Sequence, residues 1–255
     1  MASRSEGRRA GFTLVEILIA VALVSLLAGA LAPLAARQLQ AGRRQATRER
    51  MDTLVRAMVG DERSDTFGYL GEMGGLPPTL ADLNDPAGKP AYTVDPNDGV
   101  GYGYNGPYAP SASAPTDPVV DAWGLAYQYD PARAQIVSSG PDRILGNADD
   151  LTRPANPVPT TGNVVVTVMG LPRSGGPAEQ LDASRASVVV AFSRNGVRNE
   201  RMLTGAGPFV ANGLHLGLHG LRATGSGSYA GAAPVRDVVR IRRGTTAATL
   251  VLVEP

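Results

Sequence analysis

Cysteine is absent from all 255 residues, histidine occurs twice, tryptophan once, and aromatic residues make up 5% of the chain. The first absence excludes disulfides, a thiolate nucleophile and every cysteine-based zinc site, so loops must be held by packing or by a hard metal ion. The sequence also lacks a G-x-S-x-G elbow, a glycine-rich phosphate loop and a paired carboxylate set outside one acidic loop. No catalytic constellation emerges, and the chain reads as a structural protein, not an enzyme. A net charge of +1 gives no global reason to expect nucleic acid as a partner. By contrast, 31 glycines and 20 prolines favour turns and β structure over a helical bundle.

One long apolar run stands out. Residues 12–36 would span roughly 37 Å as a helix, enough to cross a hydrocarbon core of about 30 Å. A secretory signal peptide has a shorter apolar region followed by its cleavage site. Here a basic leader with Arg4, Arg8 and Arg9 ends at Gly11, before the run begins. Glu16 then places a carboxylate inside the apolar segment, where charge is costly and is by default functional.

The residues Gly11-Phe12-Thr13-Leu14-Val15-Glu16 resemble the type IV prepilin signal. That resemblance identifies a family, the pilin-like proteins of type IV pili and type II secretion systems. It implies cleavage between Gly11 and Phe12 by a prepilin peptidase and N-methylation of Phe12. It also implies that Glu16 pairs with the Phe12 amine of a neighbouring subunit during filament assembly. Pro33 cannot donate to the carbonyl of Gly29, so a kink or local melting is expected there. In related filaments this segment unwinds on packing, which makes Pro33 a second assembly residue.

Beyond the membrane segment, Ala35, Leu39, Gly42 and Ala46, then Met51, Leu54, Val55, Met58 and Val59 recur at helical spacing. A helix over 12–60 would be roughly 73 Å long. Residues 61–105 break into glycine, proline and polar stretches, with a short helix expected over 76–83 and a turn at 95–99. Further on, Tyr127 to Tyr129 and Gln135 to Ser138 form a hairpin that leads into a loop rich in aspartate.

Three aspartates in one loop repel unless a cation sits among them, and hard oxygen donors suit calcium. The D-x-W-G-x-x-Y-x-Y and S-x-G-x-D…D-D pattern resembles that of major pseudopilins of type II secretion, whose loop binds calcium. By that resemblance Asp142, Asp149 and Asp150 are side-chain ligands and Ser139 a carbonyl ligand. Arg143 stands where the family usually has glycine. Trp123 is expected in the core.

Residues 153–161, with three prolines across 152–161, read as a stiff linker. After them, strands are expected over 163–169, 186–192, 210–221, 235–241 and 249–253, with an Asn195-Gly196 turn, as a small β-sandwich. His215 and His219 fall within one expected strand, roughly 13 Å apart and too far to share a zinc ion. The basic residues at 236, 240, 242 and 243 do not outweigh the mild net charge, so DNA is not expected.

The expected fold is therefore α+β: leader 1–11, spine helix 12–60 with a transmembrane part 12–36, pseudopilin head 61–152, linker 153–161 and β-sandwich 162–255. The expected function is a structural subunit of a type II secretion pseudopilus. It would be anchored once in the bacterial inner membrane, with its globular part in the periplasm. Its partners would be copies of itself, minor pseudopilins, the prepilin peptidase and an inner-membrane assembly platform. The alternative is a type IV pilus subunit, a minor pilin or adhesin, whose C-terminal domain binds a surface or partner.

Overall fold

The computed structural model describes residues 13–61, 64, 66–109 and 119–255. The leader 1–11, the cleavage pair Gly11 and Phe12 and the methylation of Phe12 lie outside the described residues. The chain divides between Ala46 and Thr47 into two units, and residues 47–255 form one of them.

Helix α1 runs over Leu14–Val59, 46 residues or about 69 Å. Its start is set by Thr13, whose Oγ1 accepts a hydrogen bond from the Glu16 amide at 3.3 Å, so the helix N-terminus is capped from within the apolar segment. Helical structure is assigned without a break through Pro33, so the local melting expected there is not seen. The helix stops at Gly60, whose φ is +79°. A Cβ at Gly60 would meet the Thr66 carbonyl oxygen at 2.1 Å, which leaves glycine as the residue that fits this left-handed stop.

From Thr47 onward the helix has one buried stripe, Met51, Leu54, Ala57 and Met58, the spacing expected of a face against a core. Over that stripe lie α2 (Gly68–Met73) and a 3-10 turn at Leu80–Leu83. The turn is closed by a capping box between Thr79 and Asp82, and both of its leucines are buried. The strands of this region are β1 (Thr93–Val94), β2 (Gly101–Tyr102), β3 (Gln128–Asp130), β4 (Gln135–Ser138) and β5 (Leu151–Arg153). β1 and β2 pair antiparallel, and β3, β4 and β5 form a three-stranded antiparallel sheet. Trp123, Tyr127, Ile136 and Leu151 join the helix stripe in one hydrophobic core.

The second half is a β-sandwich. Its strands are β6 (Thr161–Leu171), β7 (Glu179–Gln180), β8 (Ala186–Arg194), β9 (Val197–Met202), β10 (Phe209–His215), β11 (Gly217–Gly225), β12 (Val235–Ile241) and β13 (Gly244–Val253). One sheet has the order β10-β6-β13, with β7 also on β6, and the other has the order β12-β11-β8-β9. β6 alternates buried and half-buried residues along its length. Its Val164, Val166 and Val168 share a core with Val188 and Val190 of β8, Leu221 of β11 and Leu250 and Leu252 of β13. Two sheets thus close on one apolar layer, as alternation with period two requires. A long helix followed by a mostly β region is the expected α+β class.

One strand expectation needs correction, two strands are additions, and one turn is as expected. The strand over 210–221 is two strands, because the chain turns at Leu216 and leaves one sheet for the other. Leu216 drops into the core built on α1, and its amide is held by the Thr160 carbonyl at 3.1 Å. Tertiary burial at this corner, which a pattern of alternating apolar residues cannot show, wins here over strand periodicity. β9, with Arg198, Glu200 and Arg201, and β5 are additions, since charged or very short strands carry no apolar alternation. The Asn195-Gly196 turn is present, with φ of +53° and +73°, the pairing that a two-residue hairpin prefers.

The two cores meet within the same unit. Ser193 Oγ donates to the Glu72 carbonyl at 2.6 Å, and the Gly196 amide donates to the Met73 carbonyl at 2.8 Å. Arg198 of β9 reaches Asp95 at 2.7 Å, Asp98 at 3.7 Å and Glu200 at 2.7 Å. The turn at 95–99 is therefore also an anchor for the sandwich.

Candidate functional site

Two regions carry chemistry, the start of α1 and the acidic loop between β4 and β5. In the first, Leu14, Leu18, Val24, Leu26 and Leu31 are all exposed. The helix holds an 18-residue window of mean hydropathy 2.6 and is long and apolar enough to cross a membrane. So much apolar surface on one helix calls for lipid or neighbouring helices around it. Glu16 sits in the first turn, where a carboxylate is favoured by the positive end of the helix dipole. Thr13 was missed by sequence reasoning, although Thr13-Leu14-Val15-Glu16 has the spacing of a capping box and could have revealed it.

In the second region, buried Asp121 organises the approach. Its Oδ1 accepts from the Trp123 and Leu125 amides, both at 2.9 Å, and its Oδ2 accepts from Ser138 Oγ at 2.7 Å. This ties the 121–125 turn to the end of β4 and places Ser139, which is also buried, at the mouth of the loop. Gly140 follows with φ of +68°, and a Cβ there would lie 2.6 Å from the Asp149 carbonyl oxygen and 2.9 Å from Asp149 Oδ2. The two ends of the loop thus close on each other through a glycine.

The aspartates divide their roles. Asp142 accepts from the Ile144 amide at 2.8 Å and from Asn147 Nδ2 at 2.6 Å. Asp150 Oδ2 accepts from the Gly146 amide at 2.7 Å, while its Oδ1 is buried with no hydrogen-bond partner. Arg143 adopts φ of +66°, the left-handed conformation that glycine takes at no steric cost. Among the described residues, no three His, Cys, Asp or Glu side chains are grouped so as to hold a metal ion. The donors are all hard oxygen, the type calcium takes, and Asp150 Oδ1 is orphaned, but the aspartates are not drawn together around one point.

The histidines differ from expectation. His215 ends β10 and His219 lies in β11, in the other sheet, so they do not share one strand face. His219 Nε2–H donates to the His215 carbonyl at 2.7 Å. Both Nδ1 atoms are buried without a partner, and burial pushes His219 down to about 4. Burial also raises Tyr127 and Tyr129 above the usual phenol range, as packing in the core requires.

Residues 7–32 match the model of the prokaryotic N-terminal methylation motif. The chain carries a type IV pilin-like prepilin signal. The matched segment spans the leader end, Gly11, Phe12, Glu16 and the apolar part of α1, so the motif and the exposed apolar helix coincide in sequence. A prepilin signal implies processing by a prepilin peptidase and membrane-associated pilus assembly. Together with the apolar helix it fits a single-pass, membrane-anchored pilin-like subunit. No curated protein matches the chain.

Proposed function

We propose that this chain is a non-catalytic structural subunit of a type II secretion pseudopilus. It assembles from the inner membrane into a periplasmic filament that drives protein export. The observation that carries the reading is a prepilin signal on a 46-residue helix whose first half is exposed and apolar and whose last turns build a folded core. Such a helix both anchors the subunit and supplies a spine for filament packing. After cleavage, Glu16 pairs with the Phe12 amine of the next subunit, and Pro33 marks where the helix loosens on packing.

Secretion is preferred over a surface pilus because the loop with Ser139, Asp142, Asp149 and Asp150 resembles that of major pseudopilins. Calcium held there would fix the loop between β4 and β5 and supply the cation that Asp150 Oδ1 lacks. The prepilin peptidase, minor pseudopilins and the assembly platform of the inner membrane are the partners this role requires.

The test is the protein content of culture supernatant from a strain lacking the chain, complemented by the parent sequence or by Glu16→Ala. Loss of several exported proteins, restored by the parent and not by Glu16→Ala, is the expected outcome. An unchanged supernatant would overturn the secretion reading and leave a surface pilus subunit, a minor pilin or adhesin with the sandwich as its binding end.

A further inference from the structure

Five strands of the sandwich pair on one side only, β7, β9, β10, β12 and β13, and the first four are protected against pairing with another chain, β7 by being only two residues long. β9 carries Arg198, Glu200 and Arg201, and β12 carries Arg236, Asp237 and Arg240. β10 is interrupted by a register shift between Ala211 and Leu214. Charge and bulges are the devices that blunt a sheet edge.

β13 has none of them. It is ten residues long, without charge, proline or bulge, and its paired strand is β6, in an unshifted parallel register from Gly244 to Val253. It stands at the end of its sheet. Its outward residues Thr245, Ala247, Thr249, Val251 and Val253 are exposed, and its neighbours across β6 on that face are Asn163, Val165, Thr167, Met169 and Leu171. The whole outer face along these two strands is uncharged.

The charges lie at the strand ends and have opposite sign. Arg242 and Arg243 precede β13, and Glu254 follows it. A strand of this kind is complementary to itself when turned end for end, because each basic end then meets an acidic one. We propose that β13 is a docking edge for a second copy of this chain. The two β13 strands pair antiparallel, with Arg242 and Arg243 of one copy beside Glu254 of the other. The proposal goes beyond the secretion reading and does not depend on it, since sandwich pairing serves any assembly that brings two copies together.

The absence of cysteine makes the test direct. With Arg242 beside Glu254, Ala247 of one copy lies opposite Thr249 of the other and Thr245 opposite Val251, so equimolar mixtures of full-length Ala247→Cys with Thr249→Cys and of Thr245→Cys with Val251→Cys are oxidised in detergent, with Met202→Cys as a control at the exposed end of the charged edge. Opposed residues of an antiparallel pair have Cα atoms about 4.5 to 5.5 Å apart, within disulfide range. At least one of these mixtures is expected to form a linked dimer at least about tenfold faster than Met202→Cys, as held thiols react faster than colliding ones. Adding Glu254→Arg should slow that linkage several-fold, and adding Arg242→Glu with Arg243→Glu should restore it. Linkage no faster than the control in both mixtures would overturn the proposal. So would fast linkage indifferent to Glu254→Arg, because the end charges would then not set the pairing.

Discussion

His219 makes the stability of the sandwich depend on pH in a range that begins well above that of the carboxylates. The imidazole is 2% exposed and its Nε2–H is held by the His215 carbonyl. Burial lowers it from 6.5 to about 4, with His215 and Arg201 adding repulsion. The unfolded chain therefore takes up a proton near pH 6.5 that the folded chain refuses until about pH 4. A depressed folded value means that the stabilisation is complete above 6.5, falls as pH is lowered, and is gone below 4. Its size is about 3 kcal/mol across the whole range, of which about 2 kcal/mol is lost by pH 5. The perturbation is His219→Gln, which keeps an N–H for the His215 carbonyl and cannot titrate. Urea unfolding followed by far-ultraviolet circular dichroism should show the parent losing about 2 kcal/mol more than the variant between pH 7 and pH 5. His215, half-buried and also lowered by burial, acts in the same direction in both proteins and cancels. Parallel pH curves for parent and variant would refute the reasoning, because they would mean that the imidazole is charged in the fold or reached by water.

Calcium should raise the melting temperature of the full chain relative to chelator, and Asp150→Asn should remove most of that rise, since an ion bound to the folded state alone must stabilise it; equal melting in calcium and chelator would reject the site. Arg198→Ala leaves Asp95 and Asp98 without their cation and should cost about 2 kcal/mol or more in urea unfolding, beyond the ~1 kcal/mol of an exposed ion pair. Leu252→Ala, at a fully buried position of the sandwich core, should cost about 2 to 5 kcal/mol by the same measurement. Gly74→Ala combines φ of +72° with a Cβ 1.9 Å from the Ser193 carbonyl oxygen, so it should destabilise more than the ~1 kcal/mol of a helix-interior glycine change, and an unchanged denaturation midpoint would contradict the close approach.

The parts legible in the sequence were those written in a single period or a short motif. The apolar run of α1, the stripe from Met51 to Met58 and the alternation of β6 each repeat one rule over many residues. The Asn195-Gly196 turn states its conformation in two residues. What stayed hidden depends on tertiary position. Nothing local marks Leu216 as the point where the chain changes sheets, because its neighbours Leu214 and Leu218 alternate with it as if in one strand. β9 is a strand because β8 offers it a ladder from Val189 to Arg194, not because its own residues favour burial. The acidic loop was readable as a cluster of aspartates, but not the division by which Asp142 accepts two loop donors while one oxygen of Asp150 has none.

The joint between the two cores bears on what the sandwich can be for. A domain that binds a surface on a free tether needs a boundary that few contacts cross. Here Ser193, Gly196 and Arg198 bind the region around Glu72, Met73 and Asp95, and Leu216 is buried in the core built on the helix. Gly74 and Ser193 approach so closely that a side chain would not fit between them. Removing the chain after Thr161 would strip that core of Leu216 and leave the Met73 carbonyl without its Gly196 donor, at a cost of about 1 to 3 kcal/mol if that group is kept from water. Loss of export in such a truncation would therefore report on the stability of the head as much as on the work of the sandwich. Point changes on the open face of β13, far in sequence from the joint, separate the two: they leave the shared core intact and alter only what another molecule would touch.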